Sequence, residues 1–234
     1  MPEVTRALRA LSSAYVERRH KVHAGATLDS AGKRAAFALF YGPLHFLCVA
    51  HLVSALQARI PESVLDIGCG TGAAGAAWAT GSHTAARISG IDRNRWAVDE
   101  ARWTYRALGI PGSARIGDLR RLPPVGPRDG VLAAYVLNEL PDALRLQLEE
   151  QLLAAAVLGA AVVVVEPIAR TVTPWWEGTA RRFVSVGGRA DEWRFGLTRP
   201  PLIEKFDRAA GLHHDELKCR TIAVNTTAVN TTRR

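Results

Sequence analysis

The residues able to do chemistry in this 234-residue sequence begin with a carboxylate followed at once by alternating glycines, in Val64-Leu65-Asp66-Ile67-Gly68-Cys69-Gly70-Thr71-Gly72. A chain that turns this sharply visits positive φ, and a ligand lying against bare main chain needs the missing side chains. Asp66 adds an acceptor for the hydrogen bonds of an ammonium group. A second apolar run, Ile88-Ser89-Gly90-Ile91, also ends in an acid, Asp92, whose two oxygens match a ribose diol. Arg93 and Asn94 follow on the ribose side, and an Asp capping the next helix is the plainer reading of Asp92. A third run ends at Gly117-Asp118-Leu119.

Gly70-Thr71-Gly72-Ala73-Ala74-Gly75 also fits G-x-G-x-x-G, the dinucleotide fingerprint, with Asp92 about twenty residues on. There the first glycine follows the strand directly, because pyrophosphate must reach the helix N-terminus. A carboxylate at Asp66 repels a pyrophosphate and suits a cationic amino acid.

The acid and glycines at 66–72 resemble the first motif of the class I S-adenosylmethionine-dependent methyltransferases. The resemblance implies that Asp66, Gly68, Cys69, Gly70 and Gly72 hold the methionine part of S-adenosylmethionine. It further implies that Asp92 and Arg93 serve the ribose, and that Asp118 and Leu119 serve the adenine. Tyr135-Val136-Leu137-Asn138-Glu139-Leu140, with 36–46 upstream and Val165-Glu166-Pro167 downstream, narrows the likeness. Over roughly 35–167 the chain looks like the methyltransferase-like small-ribosomal-subunit assembly factors and their bacterial relatives. Members of that group often carry a cysteine cluster for an iron–sulfur centre, whereas this chain has three cysteines, Cys48, Cys69 and Cys219.

Methyl transfer asks the protein to align the acceptor, exclude water and, where needed, take a proton. Tyr135, Asn138, Glu139 and Glu166 are the candidates for that work, Tyr135 also bordering the cofactor. Capping the next helix is an equal reading for Asn138 and Glu139, and bonding to backbone amides is an alternative for Glu166. No Asp/Asn-Pro-Pro-Tyr follows the fourth strand, which argues against amino methylation of adenine or glutamine by that route. No Pro-Cys or Thr-Cys supplies the covalent nucleophile of cytosine-C5 enzymes. No metal site is expected.

The elements that must position these residues read as a Rossmann-like, doubly wound, mostly parallel α/β sheet with an N-terminal helical cap. The expected division is a cap over 1–60 and a cofactor-binding domain over 61–234. Strands are expected at 63–67, 87–91, 113–116, 130–135 and 161–166, with helices at 72–79, 95–108 and 142–157. Beyond Pro167, helices near 174–186 and 199–210 and a strand around 216–224 are expected. The periodicity predicts a helix over 4–22, a second starting near Ser30 and interrupted at Gly42-Pro43, and a third over 44–58. Residues 35–56 carry no formal charge. The central Gly-Pro, with His45 and His51, favours two buried helices over a membrane span.

The net charge is +8, distributed as +5 over 1–60, −1 over 61–170 and +4 over 171–234. Basic flanks around a near-neutral core suit an anionic acceptor such as RNA in the small ribosomal subunit. A small aromatic or amine metabolite is the other acceptor expected, and a catalytically silent ribosome-assembly factor retaining the pocket is the alternative function. Scattered, odd-numbered cysteines point to a cytoplasmic setting. Trp175-Trp176 beside Arg181-Arg182 offers either a stacking surface for a flat ligand or a helix burying its tryptophans. His213-His214 and the repeated Val-Asn-Thr-Thr of the tail read as loop and frayed or edge-strand sequence.

Overall fold

The computed structural model describes residues 2–17, 28–81, 86–196, 198–212 and 215–226. The basic cluster at 18–21, His213-His214 and the repeats after 226 lie outside them. Seven strands form one sheet in the order β3-β2-β1-β4-β5-β7-β6. They are β1 (Ser63–Ile67), β2 (Arg87–Asp92), β3 (Gly112–Ile116), β4 (Gly130–Ala134), β5 (Ala161–Pro167), β6 (Arg189–Gly196) and β7 (Glu216–Val224). The first five are parallel, whereas β7 runs antiparallel between β5 and β6. The expected strands lie within a residue of the observed ones.

The valine run of β5 is buried on both faces, as a central strand covered by helices requires. On one face lie α2 (Ala31–Ala55), α3 (Ala73–Ala79) and α4 (Arg95–Ala107), packed around Leu52, Trp78 and Tyr105. On the other lie α5 (Asp142–Val157) and α6 (Trp176–Val184), packed around Leu148, Leu152 and Phe183. A third cluster joins α1 (Pro2–Glu17), the first half of α2 and α7 (Pro201–Ala210) through Leu8, Leu11, Phe37, Phe40, Ile203 and Phe206.

The described part of the first helix ends at Glu17, and its expected end at 22 lies outside the described residues. Two expectations need correction. Gly42-Pro43 does not divide the second helix from the third: α2 runs unbroken from a Ser30 cap, whose hydroxyl accepts from the Lys33 amide at 3.3 Å. A π-helical stretch, Phe37–Tyr41, precedes Pro43. Its wider turn carries the chain past a residue that has no N–H to give. α2 is long and apolar enough to cross a membrane by length and composition, and half of its most apolar stretch is buried inside the protein. Its two histidines meet rings, His45 stacking on Tyr135 and His51 on Phe195.

The second correction is β6, absent from the expected strands. It is an edge strand of alternating half-buried and exposed residues, without the apolar run that marks its neighbours. Trp193 ties it to β7 by donating to the Thr221 hydroxyl at 2.8 Å.

The Trp175-Trp176 pair is not an open stacking surface. Trp176 is buried under the sheet, with the Arg220 guanidinium 5.7 Å from its ring centroid, and Arg145 sits 4.9 Å from Trp175. Buried Glu149 on α5 ion-pairs with Arg145 at 2.6 Å and Arg182 at 3.0 Å, and accepts from the Thr179 hydroxyl at 2.8 Å. The charges of this segment thus fasten α6 to α5.

Candidate functional site

The carboxyl ends of β1, β2 and β4 converge on a cavity of about 800 Å³, within the range of small-molecule sites. The loop between β1 and α3 forms its base. Gly68, Gly70 and Gly72 all have positive φ. A Cβ on Gly68 would meet Val136 of the β4 loop at 2.6 Å, and one on Gly70 would approach Phe37 of α2 at 3.5 Å. The loop is therefore clasped between β4 and α2, which only bare backbone permits.

Asp66 is buried at the end of β1 and accepts from the Gly75 amide at 3.2 Å. Gly75 is a glycine for that reason, since a Cβ there would stand 2.3 Å from the carboxylate. Burial pushes Asp66 up to about 7, the Gly75 amide opposes the rise, and the nearby Asp92 charge adds to it. Asp92 accepts from the Gly70 amide at 2.9 Å and the Asn94 amide at 2.8 Å. The cap of α4 is Asn94, which accepts from the Ala97 amide at 3.3 Å, so Asp92 is left at the cavity. Among the described residues no Lys or Arg pairs with Asp66 or Asp92. Two neighbouring carboxylates without a cation are a site for one.

Gly68, Cys69, Gly70, Asp92, Arg93, Asp118, Leu119, Tyr135, Asn138 and Glu139 line this cavity together with Asp66. Asp118 is exposed; the Arg120 backbone amide, at 2.9 Å, and then the Arg120 side chain hold its carboxyl below the usual range. Cys69 is buried, and burial pushes its thiol far up, away from reactivity. Tyr135 sits at positive φ of 61° where β4 ends, and its hydroxyl touches the Cys48 thiol at 3.4 Å. The side-chain oxygen of Asn138 is buried with no partner among the described residues.

Two candidates lie apart from the cavity. Gly72 faces away from it; a Cβ there would strike Tyr105 at 2.6 Å and Ala101 at 3.0 Å, so it lets the loop pack on α4. Glu166 is buried on β5 and accepts from the backbone amides of Leu137 at 2.8 Å and Asn138 at 3.3 Å. It shapes the β4 loop from beneath. In their place α2 brings Phe37, Tyr41, His45 and Cys48 to the cavity. Their spacing of four, four and three along one helix is the signal by which the sequence could have shown them.

Residues 64–156 match a family described as a methyltransferase domain. Over that stretch the chain is similar to a methyltransferase domain. The donor set fits S-adenosylmethionine: an uncompensated buried acid for its ammonium, a diol acceptor at Asp92 and a clasped glycine loop between them. Six curated relatives match this chain and share the name protein-L-isoaspartate O-methyltransferase. That of Methylorubrum populi is 36% identical over 103 residues, 44% of this chain and 47% of the relative. The chain spans about half the length of the curated relatives it matches.

The methyltransferase fold recurs in solved structures. An O-methyltransferase fold from Nostoc punctiforme superposes with a TM-score of 0.55 at 17% identity, covering 96% of this chain and 70% of the other. The plantazolicin methyltransferase superposes at 0.51 and 14%, covering 94% and 98%. The narrower likeness to small-ribosomal-subunit assembly factors finds no support among these relatives, which carry other names.

Proposed function

We propose that the chain is an S-adenosylmethionine-dependent methyltransferase acting on a nucleophilic oxygen or nitrogen of its acceptor. The observation that carries this reading is the pair Asp66 and Asp92 at one end of the cavity, with no described cation to neutralise either. When bound, S-adenosylmethionine supplies a methyl group on a sulfonium, already activated for attack. The chain's own residues bind and orient: Asp66 takes the ammonium, Asp92 the ribose diol, Asp118 and Leu119 the adenine. Tyr135, Asn138 and Glu139 face the acceptor from the β4 loop, and the apolar wall of Leu28, Phe37 and Leu44 excludes water.

A dinucleotide fits poorly, since the same two carboxylates repel a pyrophosphate. Calorimetry with S-adenosylhomocysteine and with NAD separates the two: micromolar binding of the first and none of the second is expected, and binding of NAD alone overturns the assignment. The acceptor is addressed by incubating cell extract with tritiated S-adenosylmethionine and digesting the labelled fraction with nuclease or protease.

A protein acceptor is the second reading, favoured by the shared name of the curated relatives; it predicts label released by protease. Label released by nuclease supports RNA of the small ribosomal subunit, as the basic flanks suggest. Cofactor binding without any labelled product supports a silent assembly factor.

A further inference from the structure

Beyond the glycine loop the cavity continues into a compartment walled by rings. Phe37, Tyr41 and His45 reach it from α2, and Tyr135 from β4. The His45 imidazole stacks on Tyr135 with centroids 4.5 Å apart and planes 24° from parallel. Phe37 meets it edge-on at 5.9 Å, and Tyr41 lies tilted by 49° at 6.3 Å. Phe37 is also the side chain nearest the point where a Gly70 Cβ would stand, so the compartment opens directly against the loop that holds the cofactor.

The polar edges of these rings are not equivalent. The Tyr135 hydroxyl is in contact with Cys48, and the Tyr41 hydroxyl interacts with Ser12 of α1. No described residue hydrogen-bonds the His45 imidazole. Burial drives its pKa down to about 4, so at neutral pH it carries one N–H and one free lone pair. Of the cations that line the same cavity, Arg120 pairs with Asp118, Lys218 pairs with Glu216, and Arg93 follows Asp92 on the side given to the ribose. A carboxylate or phosphate entering the rings would shed its hydration for at most the one N–H of a neutral imidazole. A flat apolar molecule with one hydroxyl would stack on the rings and satisfy the imidazole.

We propose that this ring-walled compartment is the acceptor subsite, that it takes a hydroxyaromatic molecule, and that His45 accepts the hydrogen bond of its hydroxyl. The proposal rests on the methyltransferase reading above and names its acceptor class. It makes His45 a specificity-determining residue, since a site built to bond a hydroxyl discriminates against analogues without one. It also favours release, because a methyl ether has lost the donor that His45 binds.

The test uses the full chain saturated with S-adenosylhomocysteine and three fluorescent probes: 2-naphthol, naphthalene and 2-methoxynaphthalene. The native protein is expected to bind 2-naphthol about tenfold more tightly than either of the others. His45→Phe keeps a stacked ring and should erase that preference, leaving the affinities for naphthalene and S-adenosylhomocysteine unchanged. His45→Gln, with an acceptor oxygen, should restore part of it. Equal affinity for all three probes, no binding of 2-naphthol, or a preference that survives in His45→Phe overturns the proposal. Failure to bind S-adenosylhomocysteine would instead overturn the cofactor assignment, a result read independently of the naphthol series.

Discussion

Asp66 must act as a carboxylate where its surroundings favour the acid. Its ordinary value of 3.8 is pushed up to about 7 by burial. A raised value stabilises the fold fully below the ordinary value, and that contribution is lost as pH rises through about 7. Cofactor-free protein should therefore lose part of its stability between about pH 4 and 7, and S-adenosylhomocysteine should return it. Below pH 7, binding an ammonium beside Asp66 must expel a proton. Affinity should rise with pH up to about 7 and fall again at alkaline pH, once the ligand's own α-amino group loses its charge. Calorimetry in two buffers of different ionisation enthalpy reads the expelled proton directly, and its absence at pH 6 refutes the ammonium role. Asp66→Asn should weaken binding about 10- to 100-fold and remove the proton release. The acids 66, 92 and 118 were legible because each ends an apolar run. His45 was not, because an isolated histidine in an uncharged stretch announces no partner until α2 and β4 are brought together.

At the scale of elements, the turn from β1 into α3 is fitted to one carboxylate. Gly75→Ala would place a methyl 2.3 Å from Asp66, so either the helix or the acid must move. We expect a loss of about 1–3 kcal/mol in urea denaturation, together with weaker binding of S-adenosylhomocysteine. A neutral result would mean that α3 yields more readily than its packing suggests. The α5–α6 junction makes a second test. Glu149→Ala leaves the buried Arg145 guanidinium with only the exposed Asp142 as an ion-pair partner and should cost about 3–5 kcal/mol, against little for the exposed neighbour Glu150→Ala. The parallel strands were readable from uninterrupted apolar runs flanked by helical periodicity. β6 was not, since an edge strand needs only one face covered and its charged residues look like loop. The π stretch of α2 escaped for a related reason: Gly-Pro ordinarily stops a helix, and the turn that accommodates it leaves no mark in composition.

Across the whole molecule, the sheet was legible and the enclosure was not. Behind the pocket, helices from opposite parts of the sequence meet where the Arg9 side chain donates to the carbonyls of Ala209 at 2.9 Å and Ala210 at 3.3 Å. Leu8, Leu11, Ile203 and Phe206 pack behind that contact. Leu11→Ala should release amide protection in α1 and α7 together while leaving β1, β4 and β5 protected, measured by hydrogen exchange. Loss of protection in the strands at the same rate would show that this cluster and the sheet unfold as one unit. Periodicity predicted an apolar stripe on α1 but could not say what would cover it, because that information lies some two hundred residues away.

That separation has a consequence during synthesis. At about 5–20 residues per second, tens of seconds pass between the appearance of α1 at the ribosome and that of α7. Through that interval the parallel core can form on the nascent chain, while Leu8 and Leu11 wait without their partner. The glycine loop can thus take shape before α1, whose Ser12 borders the cavity, meets the helix that it packs against.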